Sequence, residues 1–303
     1  MCSEMTDWFN GFEAGRLELA SSTVNYRLGG QPHQPPLVLL HGFPQTHVMW
    51  HRVVRRLAAS HRILIPDLRG YGDSFAHQPD ALDHAPHSKR AMAADIVALM
   101  DHVGMKQVFL CGHDRGGRVA HRLAIDHPER VRKLCVIDIA PTLDMYARTD
   151  MDFARAYYHW FHLIQPAPLP ETMIGNAAMD YLATKLGGWG GQGLDHLEPQ
   201  ALLEYQRCFC RPEAIHSACE DYRASAGIDL EHDTASRVRG EKIACDTLVL
   251  WGDRGVVHRL FRPLELWQAQ CAGHVSGEAM PAGHFIPEEL PDETAAALKR
   301  FFV

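Results

Sequence analysis

No apolar run in the 303 residues approaches the roughly 18 that a membrane-spanning helix needs, so no membrane partner is expected. An excess of basic charge is also missing. The net charge of −7 leaves no general cationic surface, which argues against nucleic acid as a partner. That balance does not exclude a small anionic substrate, because a pocket can be locally positive. The opening stretch Met1-Cys2-Ser3-Glu4-Met5-Thr6-Asp7 lacks the basic start and apolar segment of a signal peptide, and a cytoplasmic location is expected. Cysteine is present without a paired framework. The eight fall at 2, 111, 135, 208, 210, 219, 245 and 271, and read as free thiols in a reducing compartment. Cys208 and Cys210 stand too close for the usual zinc spacing. Twenty histidines invite a metal, but pairs such as His84/His87 and His159/His162 have no third ligand in a recognisable motif. Neither a metal nor a cofactor is expected.

What is present is an alternation. Pro36 to Leu40, Ile63 to Ile65, Val108 to Cys111 and Leu134 to Ile137 are short continuous apolar runs. Lys89 to Gly104, between the second and third, has helical periodicity and a glycine to end it. Apolar strands separated by helices predict a mostly parallel sheet covered on both faces. From about Pro141 to Lys242 the strand character stops and aromatics, glycines and helix-like segments take over. It returns at Thr247 to Trp251 and His274 to Met280, and an amphipathic helix, Pro291 to Phe302, closes the chain. The expected organisation is an α/β core domain, residues 1–140 and 243–303, interrupted by a helical cap, residues 141–242.

The most informative stretch is Leu110-Cys111-Gly112-His113-Asp114-Arg115-Gly116-Gly117-Arg118. It passes from strand to helix through G-x-D-x-G, the spacing of a nucleophile elbow with aspartate in the usual serine position. The turn is sharp, so flanking side chains would collide with neighbouring backbone. It presents Asp114 at a helix N-terminus, which favours negative charge. A plainer reading makes Asp114 an ordinary helix N-cap. Two further motifs weigh against that. His41-Gly42-Phe43-Pro44 follows the first strong strand, where an oxyanion-hole N–H belongs, and Gly283-His284-Phe285 follows the last, where a general base belongs.

With these motifs in hand, the chain resembles the α/β-hydrolase superfamily and, within it, the haloacetate (fluoroacetate) dehalogenases. H-G-F-P at 41–44, D-L-R-G-Y-G-D-S at 67–74 and G-H-F at 283–285 are shared with epoxide hydrolases and haloalkane dehalogenases. Asp114-Arg115-Gly116-Gly117-Arg118, Ile137 to Thr142, His159-Trp160 and Asp221 to Ala224 narrow the choice. The resemblance implies an eight-stranded, mostly parallel sheet with the cap inserted after the sixth strand, and a homodimer.

The chemistry follows from residue types. An Asp114 carboxylate can displace a leaving group from carbon and form an ester, dividing one hard substitution into two easier steps. His284 would activate water to attack that ester, polarised by the backbone N–H groups of Phe43 and Arg115. The histidine needs an acidic partner. The resemblance assigns Asp138, with Asp253 in Trp251-Gly252-Asp253 the competitor, or else a turn residue. Arg115 and Arg118, one and four residues past the nucleophile, can bind a small carboxylate substrate. The plainer role for Arg118 is a surface ion pair. His159, Trp160 and Tyr222 match the family's halide-binding positions, each a donor worth about 3 kcal/mol if well aimed. Taken singly, each reads as a packing residue, and Tyr157, Tyr158, Trp189 and Tyr205 read as packing or pocket-wall residues.

The expected activity is hydrolysis of a small-molecule haloacid, haloacetate, to glycolate and halide. An epoxide hydrolase with the same Asp114/His284 pair is the rival, recruiting Tyr222 with Tyr158 or Tyr181 to protonate the epoxide. The arginine pair argues against it, since an epoxide has no carboxylate to bind. A non-enzymatic receptor of the same fold is the third reading.

Overall fold

A computed structural model describes residues 8–77, 81–190 and 193–303; Cys2 and the rest of the opening stretch lie outside them. Among the described residues nine strands form one sheet: β1 (Phe12–Glu18), β2 (Ser22–Gly30), β3 (Pro36–Leu40), β4 (Arg62–Pro66), β5 (Phe75–Ala76), β6 (Val108–His113), β7 (Val131–Ile137), β8 (Asp246–Gly252) and β9 (Val275–Met280). Eight run in the order β1-β2-β4-β3-β6-β7-β8-β9, and the short β5 pairs with β2. The pairs from β4 to β9 are parallel, while β1 and β2 are antiparallel to their neighbours. This is an α/β-hydrolase fold.

Burial explains which strands the sequence announces. Every residue of β6 is buried, and β3 is buried from Leu37 onward, as central strands covered on both faces must be. Each large aliphatic side chain there contributes about 1.5–3 kcal/mol through burial. The edge strand β1 exposes alternate positions and carries charge, so its sequence, FEAGRLE, has no apolar run to read. The hairpin β1–β2 is therefore an addition to the strands expected from composition.

The helix Lys89–His102 starts at Ser88, whose Oγ accepts the Ala91 N–H, and ends before Gly104 at φ +73°. The helix Arg115–Asp126 is buried over its first ten residues, with Arg115, Arg118 and Arg122 among them. Arginine is seldom that deep without a reason. Between β7 and β8 the described residues hold helices alone, from Thr142–Ala147 to Ile228–Val238. This cap is tied to the core by polar contacts: Tyr71 Oη donates to Asp221 at 2.6 Å and Arg207 to Asp73 at 2.6 Å. No helix of the described residues is long and apolar enough to cross a membrane.

Candidate active site

Asp114 stands alone between β6 and the helix that starts at Arg115, at φ 45° and ψ −116°, a conformation L-residues rarely adopt. The flanking glycines permit it. A Cβ on Gly112 would lie 2.4 Å from the Gly116 carbonyl oxygen, and one on Gly116 would lie 2.4 Å from that of His41. The Asp114 carboxylate makes no bond to the helix it precedes, so it is not a cap. Instead its Oδ2 accepts the Phe43 N–H at 3.0 Å. The side chain is 7% exposed. Burial raises its pKa, but His284, His113, Arg115 and Arg118 outweigh burial and hold it below the usual value. The carboxylate is ionised and, at its other oxygen, uncommitted.

His284 lies in the loop after β9. Its Nδ1–H donates to Asp138 Oδ2 at 2.6 Å, while its Nε2 is buried without a partner. Asp138 follows β7 at φ 52°, and its Oδ1 accepts the Gly252 N–H at 3.0 Å. Both carboxylate oxygens are thus used, and the proton of His284 is fixed on Nδ1. Asp253 is exposed and serves as a turn residue. Burial alone would lower the His284 pKa, but the Asp138 bond and charge raise it above the usual value.

Three groups to which sequence reasoning gave no such part hold this loop. Glu289 accepts the Gly283 N–H at 2.7 Å and the Phe285 N–H at 2.9 Å, one on each side of His284. The Trp189 carbonyl accepts the His284 N–H at 3.2 Å. His113, pushed down to about 3 by burial and His284, is neutral and donates through Nε2 to the His284 carbonyl at 2.8 Å.

The arginines are deeper and less alike than their spacing suggests. Arg115 gives one edge to Asp221, Nε to Oδ2 at 2.9 Å and Nη2 to Oδ1 at 2.6 Å, which leaves Nη1 buried without a partner. Its guanidinium lies 4.1 Å from the Tyr222 ring centroid. Arg118 donates from Nη1 to Thr142 Oγ1 at 2.8 Å and the Ala140 carbonyl at 3.2 Å. Its Nε has no partner, and its guanidinium lies 4.8 Å from the Trp160 ring centroid. Arg118 is 2% exposed and bonded to no carboxylate, which corrects the plainer reading of a surface ion pair. Asp221, which also pairs with Lys89, carries no sequence signal beyond its place beside Tyr222.

The cap brings rings to this place. His159 stacks on Phe43 with centroids 6.0 Å apart, and lies 4.5 Å from Trp189 and 5.5 Å from Tyr222. Trp160 is 6.4 Å from Tyr222. Burial holds His159 well below the ordinary histidine pKa, so it is neutral, and its Nδ1 has no partner. No side-chain hydrogen bond engages Trp160 Nε1 or Tyr222 Oη among the described residues. Tyr158 points elsewhere, being 46% exposed, and Tyr181 stacks on Phe209. Among the described residues no three potential metal ligands gather.

An ionised carboxylate on a strained elbow, with a histidine–aspartate pair near enough to lower its pKa, in a sheet of this topology, fits a hydrolase. Comparison with known proteins agrees. Residues 35–289 match the α/β hydrolase fold family. A fluoroacetate dehalogenase from Burkholderia sp. is 43% identical over 97% of this chain and 94% of its own. A soluble epoxide hydrolase from Corynebacterium sp. (strain C12) is 31% identical over 88% of this chain and 90% of its own. Among solved structures, an α/β hydrolase from Nostoc sp. PCC 7120 superposes with a TM-score of 0.93 at 49% identity, covering 97% of this chain and 99% of that one. The chain belongs to the α/β-hydrolase superfamily and, within it, to the haloacetate dehalogenase family.

Proposed function

We propose that the protein hydrolyses haloacetate, fluoroacetate included, to glycolate and halide through an ester on Asp114. The free Asp114 oxygen attacks the halogen-bearing carbon, and the carbon–halogen bond breaks with its electron pair leaving on halide. Arg115 Nη1 and Arg118 Nε bind the substrate carboxylate, offsetting its repulsion from Asp114. His159, Trp160 and Tyr222 donate to the departing halide, where charge develops. His284 Nε2 then takes a proton from water, and the hydroxide adds to the Asp114 ester carbonyl. The Phe43 and Arg115 N–H groups stabilise the oxyanion. Collapse expels glycolate, whose alkoxide recovers the proton from His284. Asp114 is left carrying the water oxygen and loses its own proton to solvent.

The observation that carries this reading is the pair of buried, partly unpartnered guanidiniums beside an ionised carboxylate nucleophile. The Burkholderia relative supports the same substrate class. The epoxide reading draws on the Corynebacterium relative, but needs a second tyrosine beside Tyr222. A cytoplasmic setting, suggested by the seven free thiols among the described residues, and a homodimer belong to the same proposal.

The test is a single turnover of haloacetate in heavy-oxygen water, with Asp114 then read by peptide mass analysis. Label must enter the Asp114 carboxylate first. Label passing straight into glycolate sinks the ester route. Diol from an epoxide, with no halide from haloacetate, transfers the chain to the rival activity.

A further inference from the structure

Lys185, in the cap helix Ala178–Gly190, has no part in the chemistry above. It is 2% exposed, yet among the described residues it has neither an ion pair nor a hydrogen-bond acceptor for its ammonium. Its surroundings are ring faces. Nζ lies 3.6 Å from the Tyr158 centroid, 5.1 Å from Tyr181 and 5.4 Å from Trp189. These faces hold a cation but do not neutralise it.

The cage also bridges two environments. Tyr158 is exposed to solvent, whereas the Trp189 ring lies 5.3 Å from that of His284 and 4.5 Å from that of His159. Lys185 therefore sits between the surface and the rings that line the Asp114 site. A buried cation lacking a counter-charge is costly alone and becomes favourable when an anion completes it. Apart from water and a proton, the proposed reaction moves anions: a monocarboxylate enters, and a halide and another monocarboxylate leave.

We propose that Lys185, ringed by Tyr158, Tyr181 and Trp189, is an outer anion station that passes small monocarboxylates and halides between solvent and the Asp114 site. The station deepens the dehalogenase reading and rests on it for the identity of its anions. Its charge is adjustable. Burial without a compensating partner lowers the Lys185 pKa to about 7. Of the neighbours that titrate, His159 and His162 have their pKa values lowered by burial and Tyr158 and Tyr181 have theirs raised, while His284, beyond Trp189, loses its own positive charge above its raised value. Glu171, ionised and paired with Arg223, acts on His162 from outside the cage. Anion capture should thus weaken as pH rises through neutrality and Lys185 loses its proton.

The experiment measures the association rate of acetate, an unreactive monocarboxylate, by stopped-flow tryptophan fluorescence on the full chain. Lys185→Met should slow association about tenfold at about pH 6, the low end of electrostatic steering, and reduce its fall between about pH 6 and about pH 8 to the part that His284 contributes. Lys185→Arg should keep the fast rate and show the same reduced pH dependence as Lys185→Met, because arginine stays charged. Thermal melts check folding of both variants. Wild-type rates and pH dependence in Lys185→Met would overturn the station. Because acetate is never turned over, absence of halide release from the wild type would sink the dehalogenase reading separately, leaving the binding result readable.

Discussion

In the sheet domain, Asp138 spends one carboxylate oxygen on His284 and the other on the Gly252 N–H, and Glu289 grips the backbone on both sides of His284. Across the site in the cap, Trp160 and Tyr222 are placed by ring contacts alone, and the His159 Nδ1 is left bare. The core thus holds the proposed base through two supporting carboxylates, Asp138 and Glu289, whose oxygens are all spent, while the cap places its proposed donors by packing and keeps their polar atoms unspent. The difference fits a division of labour. Bond making needs one orientation of nucleophile and base, whereas stabilising a departing halide needs donors that no protein acceptor has already claimed. Substitutions on the two sides should then fail differently.

The largest effect belongs to His284→Gln, which should lower steady-state turnover about ten-thousand-fold yet still release one halide per site in a burst, leaving Asp114 esterified. Protein mass spectrometry after mixing with haloacetate detects the trapped ester. Loss of the burst as well would place His284 in the first step and erase the distinction. The pH profile sharpens the same point. His284 works as a base only when neutral, and Asp138 raises its pKa above the usual 6.5. Ester hydrolysis should therefore rise with pH through that raised value. Ester formation needs only ionised Asp114, held low by its cationic neighbours, and should stay flat over the same window.

Next comes Asp138→Asn, with an expected loss of about a thousandfold or more in ester hydrolysis through the wrong histidine tautomer. Asp253→Asn, on an exposed turn, should change the rate by less than about twofold, as surface substitutions usually do. Equal losses in the two variants, measured by pre-steady-state hydrolysis, would contradict the hydrogen bonding described for Asp138.

How far these roles were legible in the chain depends on what kind of constraint left a mark. The elbow was legible because backbone crowding at Gly112 and Gly116 admits only glycine, so geometry is written directly into residue type. The central strands were legible because two-sided burial demands unbroken apolar runs. The β1–β2 hairpin was not, since an edge strand with alternating exposure can be polar. The partner of Arg115 was equally hidden: Asp221 lies 106 residues away and acquires meaning only when the cap folds over the helix. Asp138 could be chosen over Asp253 only by family resemblance, because both follow strands and both suit turns. Lys185 left no mark at all, since a lysine at helical spacing reads as a solvated face until its burial is seen.

On the cap side, Tyr222→Phe and Trp160→Phe should each slow ester formation from fluoroacetate about a hundredfold, the magnitude of one lost donor at a developing charge. Chloroacetate and bromoacetate should lose much less, because better leaving groups need less help. Halide-release rates over the three substrates give the contrast. A uniform loss across halogens would mean that these rings pack the site without touching the departing ion.

Apart from the Asp253 control, the smallest expected effect, a fewfold, probes how the core holds the turn around His284. Glu289 accepts two backbone N–H groups with two oxygens, and its salt bridge to Arg254 is 3.3 Å long and near solvent. Glutamine retains one acceptor and turns an N–H₂ toward the other N–H, so Glu289→Gln should leave one donor facing another and loosen the turn around His284. A single strained hydrogen bond of this kind costs about 1 kcal/mol. Spread over the orientation of the base, that predicts slower ester hydrolysis with substrate binding unchanged. A rise in KM with hydrolysis intact would shift Glu289 to a role in shaping the pocket, and the core would then share the cap's looser way of holding its groups.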